Sequence, residues 1–309
     1  MVDEDFFPLE NLLSFRKPED VLRFLDFNID DMSLKWENIG KDETNFPRLA
    51  ISRSGVKAFV ERISNAIDAI LENKYHLQKN NDAPNSPREA VEKWFDIKGG
   101  HVGFIGEGRR RELAQNNIQV FLDDSGINKK PTITIKDFGI GIHPDEFEET
   151  VVGLGRSLKR GKHYLLGAYG WGGSQTFIWC NGANEITNVE SLPLAIIVSR
   201  KDPTLLKDDQ KDEVGWTIIR YKDNPQEKHG VFQYLVDSNK KILRTSPKNL
   251  PKDFGYGTCV IHLAYNLESF HGPMTLSSYR LFQSLLFDPV LPFWLYDNRQ
   301  KEGRTISGN

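Results

Sequence analysis

Glu61, Asn65 and Asp68 stand at i, i+4 and i+7 in a strongly amphipathic segment. That spacing puts the three side chains on one face of a helix. A carboxylate beside a carboxamide suits a hard cation that prefers oxygen ligands, and a nearby carboxylate can activate a water. A solvated polar stripe has the same pattern. A second cluster, Asp137-Phe138-Gly139-Ile140-Gly141-Ile142, directly follows a strand-like run at 132–136. A carboxylate at a strand end can accept a hydrogen bond from an exocyclic amine such as that of adenine. Glycines there let backbone approach a ligand without a Cβ clash, although a turn that merely needs two glycines fits equally. The third cluster is Gly167-Ala168-Tyr169-Gly170-Trp171-Gly172-Gly173-Ser174, followed by the apolar run 176–179. Glycine-rich turns that open a helix offer free N–H groups to phosphates, but glycine loops are common.

The elements that must hold these clusters can be read from periodicity. Val56, Phe59, Val60, Ile63, Ala66, Ile67 and Ile70 recur at three- and four-residue spacings, which predicts an amphipathic helix over 54–72. A shorter helix is expected at 18–27, with Pro18 in its first turn and Glu19 and Asp20 favouring its N-terminus. Residues 80–87, rich in Asn, Pro and Ser, read as a loop before a helix at 88–94. Strands are expected at 118–122 and 132–136, joined by a turn at Asp124-Ser125-Gly126, and later at 194–199, 216–221 and 258–264. The predicted fold class is α/β: a two-layer sandwich with a mixed, mostly antiparallel sheet and helices on one face. Residues 1–50 read as an N-terminal extension and 51–270 as the main domain, with 75–117 inserted in it. Residues 271–309, with a helix at 277–286 and a strand-like run at 292–296, read as the truncated opening of a following domain.

Composition narrows the function classes. The chain has 309 residues, 39% of them hydrophobic and 27% charged, with a formal net charge of -3. Neither a nucleic-acid partner nor an anionic membrane is demanded by that balance. Cys180 and Cys259, the two cysteines, make neither a disulfide framework nor a zinc site. The acidic start, Met1-Val2-Asp3-Glu4-Asp5, lacks the basic region of a secretory signal. With no apolar run of about 18 residues to span a membrane, a cytoplasmic location is the default expectation. The stretch Gly155-Arg156-Ser157-Leu158-Lys159-Arg160-Gly161-Lys162-His163 imitates a P-loop. It has five residues between its glycines where four are needed, and His163 replaces the Ser or Thr. Arg109-Arg110-Arg111 reads as a solvated face rather than a phosphate patch.

In their order, the three clusters resemble the N-box, G1 box and G2 box of the GHKL (Bergerat-fold) ATPases. That family includes the ninety-kilodalton heat-shock chaperones, MutL, the gyrase ATPase subunit and sensor histidine kinases. Gly257-Thr258 opening the 258–264 run resembles the Gly-Thr strand of the family. The resemblance implies ATP and Mg²⁺ as cofactors and slow hydrolysis to ADP and phosphate. It assigns Glu61 as general base, Asn65 as the Mg²⁺ ligand, and Asp68 to the cofactor site. Asp137 and Thr258 would bind adenine, with Gly139, Gly141 and Ile142 shaping the pocket floor. Gly167, Tyr169, Gly170, Trp171, Gly172, Gly173 and Ser174 would lie along the phosphates. The 153–163 segment, with Ser157 and Lys159, falls where the family has its lid. Asp68 stands where histidine kinases generally carry a basic residue, which favours the chaperone, MutL and gyrase side. The chain departs from the family's pattern at the 75–117 insertion and at bulky Trp171. The resemblance implies an ATP-dependent homodimer of the full-length protein acting as a conformational switch. A non-hydrolysing ATP-sensing module and a histidine-kinase-like phosphotransferase are the alternatives. Chaperoning, DNA transactions and signalling assemblies all use this engine, so the motifs name no client.

Overall fold

The computed structural model describes residues 9–51, 54–78, 82–154, 161–167, 173–183, 191–224, 229–267, 278–286 and 288–308. In chain order these form α1 (Leu9–Ser14), α2 (Pro18–Asn28), β1 (Lys35–Asn38), α3 (Phe46–Leu49) and the long α4 (Gly55–Leu77). Next come α5 (Pro87–Phe95), α6 (Glu107–Asn117), β2 (Ile118–Asp123), β3 (Thr132–Asp137), β4 (Ser191–Arg200) and β5 (Val214–Lys222). The rest are β6 (Val231–Val236), β7 (Leu243–Thr245), β8 (Gly257–His262), α7 (Ser278–Leu285), β9 (Phe293–Asp297) and β10 (Glu302–Ile306).

Local chemistry explains where the helices begin. In α2, Pro18 takes the first turn and the Asp20 carboxylate accepts the Lys17 N–H at 3.1 Å, satisfying a donor the helix leaves open. In α5, Ser86 Oγ accepts the Glu89 N–H at 3.1 Å just ahead of Pro87. The apolar stripe of α4 buries Phe59, Ile63, Ala66, Ile67, Ile70 and Leu71 against the sheet, so packing rather than propensity sets its length.

The strands make one mixed sheet in the order β1-β6-β5-β4-β8-β3-β2-β9-β10, with β7 beside β5. Among the described strands, β2 and β9 run parallel and the other pairs antiparallel. Residues expected to open a following domain therefore supply β9 and β10 to this same sheet.

The expectation of helices on one face needs correction. Along β4, Ala195 and Ile197 belong to the core under α4, while Ile196 and Val198 belong to a second core with Leu12, Val21, Phe24 and Leu25 of α1 and α2. Alternate residues point to opposite faces, so the N-terminal helices cover part of the far face as a third layer. The apolar run of β4 fits a strand buried on both sides.

Candidate functional site

The register of three central strands brings chemistry together at one sheet end. Asp137, the last residue of β3, pairs with Thr258 near the start of β8, and Thr258 pairs with Ser199 of β4. All three are buried. Ser199 Oγ lies 2.8 Å from Thr258 Oγ1, donates to the Gly257 carbonyl at 3.0 Å and accepts the Ile142 N–H at 2.9 Å. The Asp137 carboxylate accepts the Gly139 N–H at 3.0 Å and a second amide from Thr258. Burial pushes this carboxyl up to about 7, opposed by those two amides and by the charge of Arg62.

The glycines after Asp137 serve two different purposes. A Cβ at Gly139 would lie 2.5 Å from the Ala69 backbone, where the Ile140 N–H donates to the Ala69 carbonyl at 3.0 Å. This glycine therefore lets the turn after β3 touch α4. Gly141 has φ +67°, and a Cβ there would fall 1.9 Å from the Arg200 carbonyl oxygen, so no other residue fits that turn without shifting it.

Between α4 and the sheet lies a cavity of about 470 Å³. Its walls include Asn65, Asp68, Asp137, Gly141, Ile142, Gly173, Ser174 and Thr258 from the sequence-predicted set. Segments far apart in the chain thus meet around one space. Gly139 supports the wall from behind, through its contact with α4. Glu61 is exposed and lies outside the lining. Ser157, Lys159, Tyr169, Gly170, Trp171 and Gly172 lie outside the described residues.

Asp68 has a second task. Its carboxylate accepts the Leu166 N–H at 2.6 Å and the Gly167 N–H at 3.1 Å, and so ties the start of the glycine-rich turn to α4. One turn on, Glu72 holds the Lys162 ammonium. A further turn on, Tyr75 stacks on Tyr164 at 4.8 Å, and Trp94 of α5 meets the same ring at 5.7 Å. The insertion thereby braces the segment that leads into the turn.

Sequence reasoning missed Arg62, Glu72, His76, Glu146, Glu149, Lys201 and Lys207 in the cavity lining. Lys201, almost buried, pairs with Glu146 at 2.6 Å. The signal for it was faint: a Lys-Asp pair just past the strand expected at 194–199. Arg62 is 9% exposed in the middle of the apolar stripe of α4. Its Nη2 donates to the Gly173 carbonyl and, at 3.4 Å, to Thr176 Oγ1. His262, also buried, has Nε2 3.1 Å from the same hydroxyl, and desolvation holds it well below its ordinary pKa as a neutral ring.

The arginines at 109–111 are spoken for. Arg109 pairs with Glu112, Arg110 reaches Ser307 Oγ at 3.4 Å and Arg111 lies over the Trp294 ring. No helix among the described residues is long and apolar enough to cross a membrane.

An amine-accepting carboxylate, a hydroxyl pair, an oxygen-bearing carboxamide and a glycine turn suit a ligand with a heterocyclic amine at one end and anionic groups at the other. Asn65 fits a hard cation as one ligand only, with phosphates and waters needed for the rest. The chain matches no protein-family model and no curated protein.

Proposed function

We propose that this chain binds ATP with Mg²⁺ in the cavity between α4 and the sheet, and hydrolyses it slowly to ADP and phosphate as a conformational switch. The observation that carries the reading is Asp137: a buried carboxylate at a strand end, flanked by the Thr258 and Ser199 hydroxyls, in the same cavity lining as Asn65 and Gly173. Its ionised form accepts the adenine amino hydrogen while the Gly139 and Thr258 amides hold it in place. Thr258, oriented by Ser199, takes a second position on the base, directly or through a water. Asn65 is the residue placed to hold Mg²⁺, which would neutralise phosphate charge when bound. Asp68 acts through the turn it anchors. Glu61, exposed one helical turn before Asn65, would polarise the attacking water.

The exposure of Glu61 favours one second reading, a nucleotide-sensing module that binds ATP without hydrolysing it. Calorimetric titration with ATP and Mg²⁺, alongside phosphate release, separates the two. Binding at micromolar Kd with measurable release that Glu61→Ala abolishes while affinity stays is the expected result. Binding without release in the full-length protein selects the sensing module. Absence of adenine-nucleotide binding, with Asn65→Ala behaving like wild type, overturns both.

A further inference from the structure

Arg62 lines the cavity and has no part in the nucleotide reading. Its guanidinium is fully charged at neutral pH although desolvation lowers it to about 10. Among the described residues no carboxylate lies within ion-pair distance of it. Its hydrogen-bond partners are neutral: the Gly173 carbonyl and Thr176 Oγ1, both taken by Nη2. Among the described residues the buried Nε has no hydrogen-bond partner. A Cβ on Gly173 would stand 3.1 Å from Arg62 Nη1 and 3.2 Å from Asn65 Nδ2. The Phe177 ring, 5.7 Å from the guanidinium carbon, lines another side.

Asp137, the carboxylate whose charge bears on Arg62, lies beyond ion-pair distance and is itself pushed toward the protonated form by burial, so the buried cation stays costly. Arg62 has spare donors, lines the cavity and stands with Asn65 beside Gly173. A planar guanidinium with free N–H groups matches a phosphate oxygen pair. A structural role alone, propping the Gly173 carbonyl, would use Nη2 and leave the charge unexplained. We propose that Arg62 is an anion-binding residue of this cavity whose guanidinium contacts the phosphate chain of the bound nucleotide. The nucleotide reading supplies only the identity of the anion; the unpaired buried charge calls for one regardless.

The test is calorimetric titration of wild type, Arg62→Met and Arg62→Lys with ADP, adenosine and inorganic pyrophosphate, with thermal melts to verify folding. Met matches the length and apolar surroundings of the buried site, and replacing a buried charge in this way is commonly tolerated. Arg62→Lys keeps the charge but loses the fork, so it serves if the Met variant fails to fold. Wild type should bind ADP more tightly than adenosine. Arg62→Met should weaken ADP at least about tenfold, the scale of one charge-assisted contact, and leave adenosine within about twofold; Arg62→Lys should fall between for ADP. Equal losses for ADP and adenosine, or no loss in either, overturn the assignment and leave Arg62 as a prop for the glycine turn. Should wild type bind pyrophosphate but neither ADP nor adenosine, with pyrophosphate lost in Arg62→Met, the nucleotide reading fails while the anion site stands. No binding of any of the three to wild type sinks both.

Discussion

Asp137 is pulled in two directions. The cavity that shields it from water raises its pKa to about 7, yet the role proposed for it requires the ionised form. Its unfolded value is 3.8, so the folded state keeps the proton to higher pH than the unfolded chain does. The sign follows: the stabilising contribution is full below about pH 4, is lost as pH rises toward 7, and above that the empty protein carries a buried carboxylate. Asn mimics the protonated acid. Asp137→Asn should therefore stabilise the ligand-free protein at pH 8, by at most on the order of 4 kcal/mol, and raise its melting temperature, with the gain shrinking toward pH 5. The same variant should lose adenine-nucleotide affinity by more than about tenfold. Its single carboxamide oxygen cannot serve the Gly139 amide, the Thr258 amide and a ligand amine together. In wild type, affinity should weaken as pH falls below about 7. Melting curves and titrations at pH 5, 6.5 and 8 check all three; a variant equally stable relative to wild type at every pH would contradict the assignment.

One face of α4 does two jobs, and the division explains why it could be read only in part. Asn65 faces the cavity, while Asp68, Glu72 and Tyr75, spaced at i, i+4 and i+7, fasten the 162–167 segment. Asp68→Ala would strip the Leu166 and Gly167 amides of their acceptor and release the start of the glycine-rich turn. Hydrogen exchange at those two amides should accelerate by about fivefold or more, consistent with losing about 1–3 kcal/mol of local protection. Unchanged exchange would mean that other contacts hold the segment. The helix itself, β2, β3, β4, β5 and β8 were legible because their apolar spacing records which face is buried. Asp137 was legible as a candidate because a strand end and a glycine turn are local signals, whereas Thr258 entered through the family resemblance alone. Arg62 was not: a charge inside an apolar stripe acquires meaning only when the sheet closes over it. The polar α6, with Leu113 and Ala114 as its buried residues, and the four-residue β1 carry too little pattern to stand out. The parallel pairing of β2 with β9 joins segments more than a hundred residues apart, for which no local spacing speaks.

At the scale of the whole molecule, the sheet separates two cores with different duties. One lies under α4 and adjoins the cavity; the other is built by α1, α2 and the far side of β4, β5 and β8. Phe24 of α2 belongs to the second, 7% exposed, edge-on to Trp216 with ring centroids 6.3 Å apart. Truncating it leaves a void against β5 that neighbouring side chains can fill only partly, so Phe24→Ala should cost about 3–5 kcal/mol. Cooperative unfolding spreads that loss over the whole fold, and the melting temperature should drop by several degrees. The cavity walls, however, are drawn from the opposite face and from strand ends, none of which touches Phe24 in the cores described. Nucleotide affinity should stay within about twofold of wild type, and ADP should stabilise wild type and variant by the same free energy, because ligand stabilisation depends on concentration and Kd alone. Thermal melts with and without saturating ADP, paired with titration at a temperature where both proteins are folded, measure the two quantities separately. A fall in affinity matching the fall in stability would show that the far-face helices shape the cavity through the sheet, and that the N-terminal layer is part of the binding machinery rather than its support.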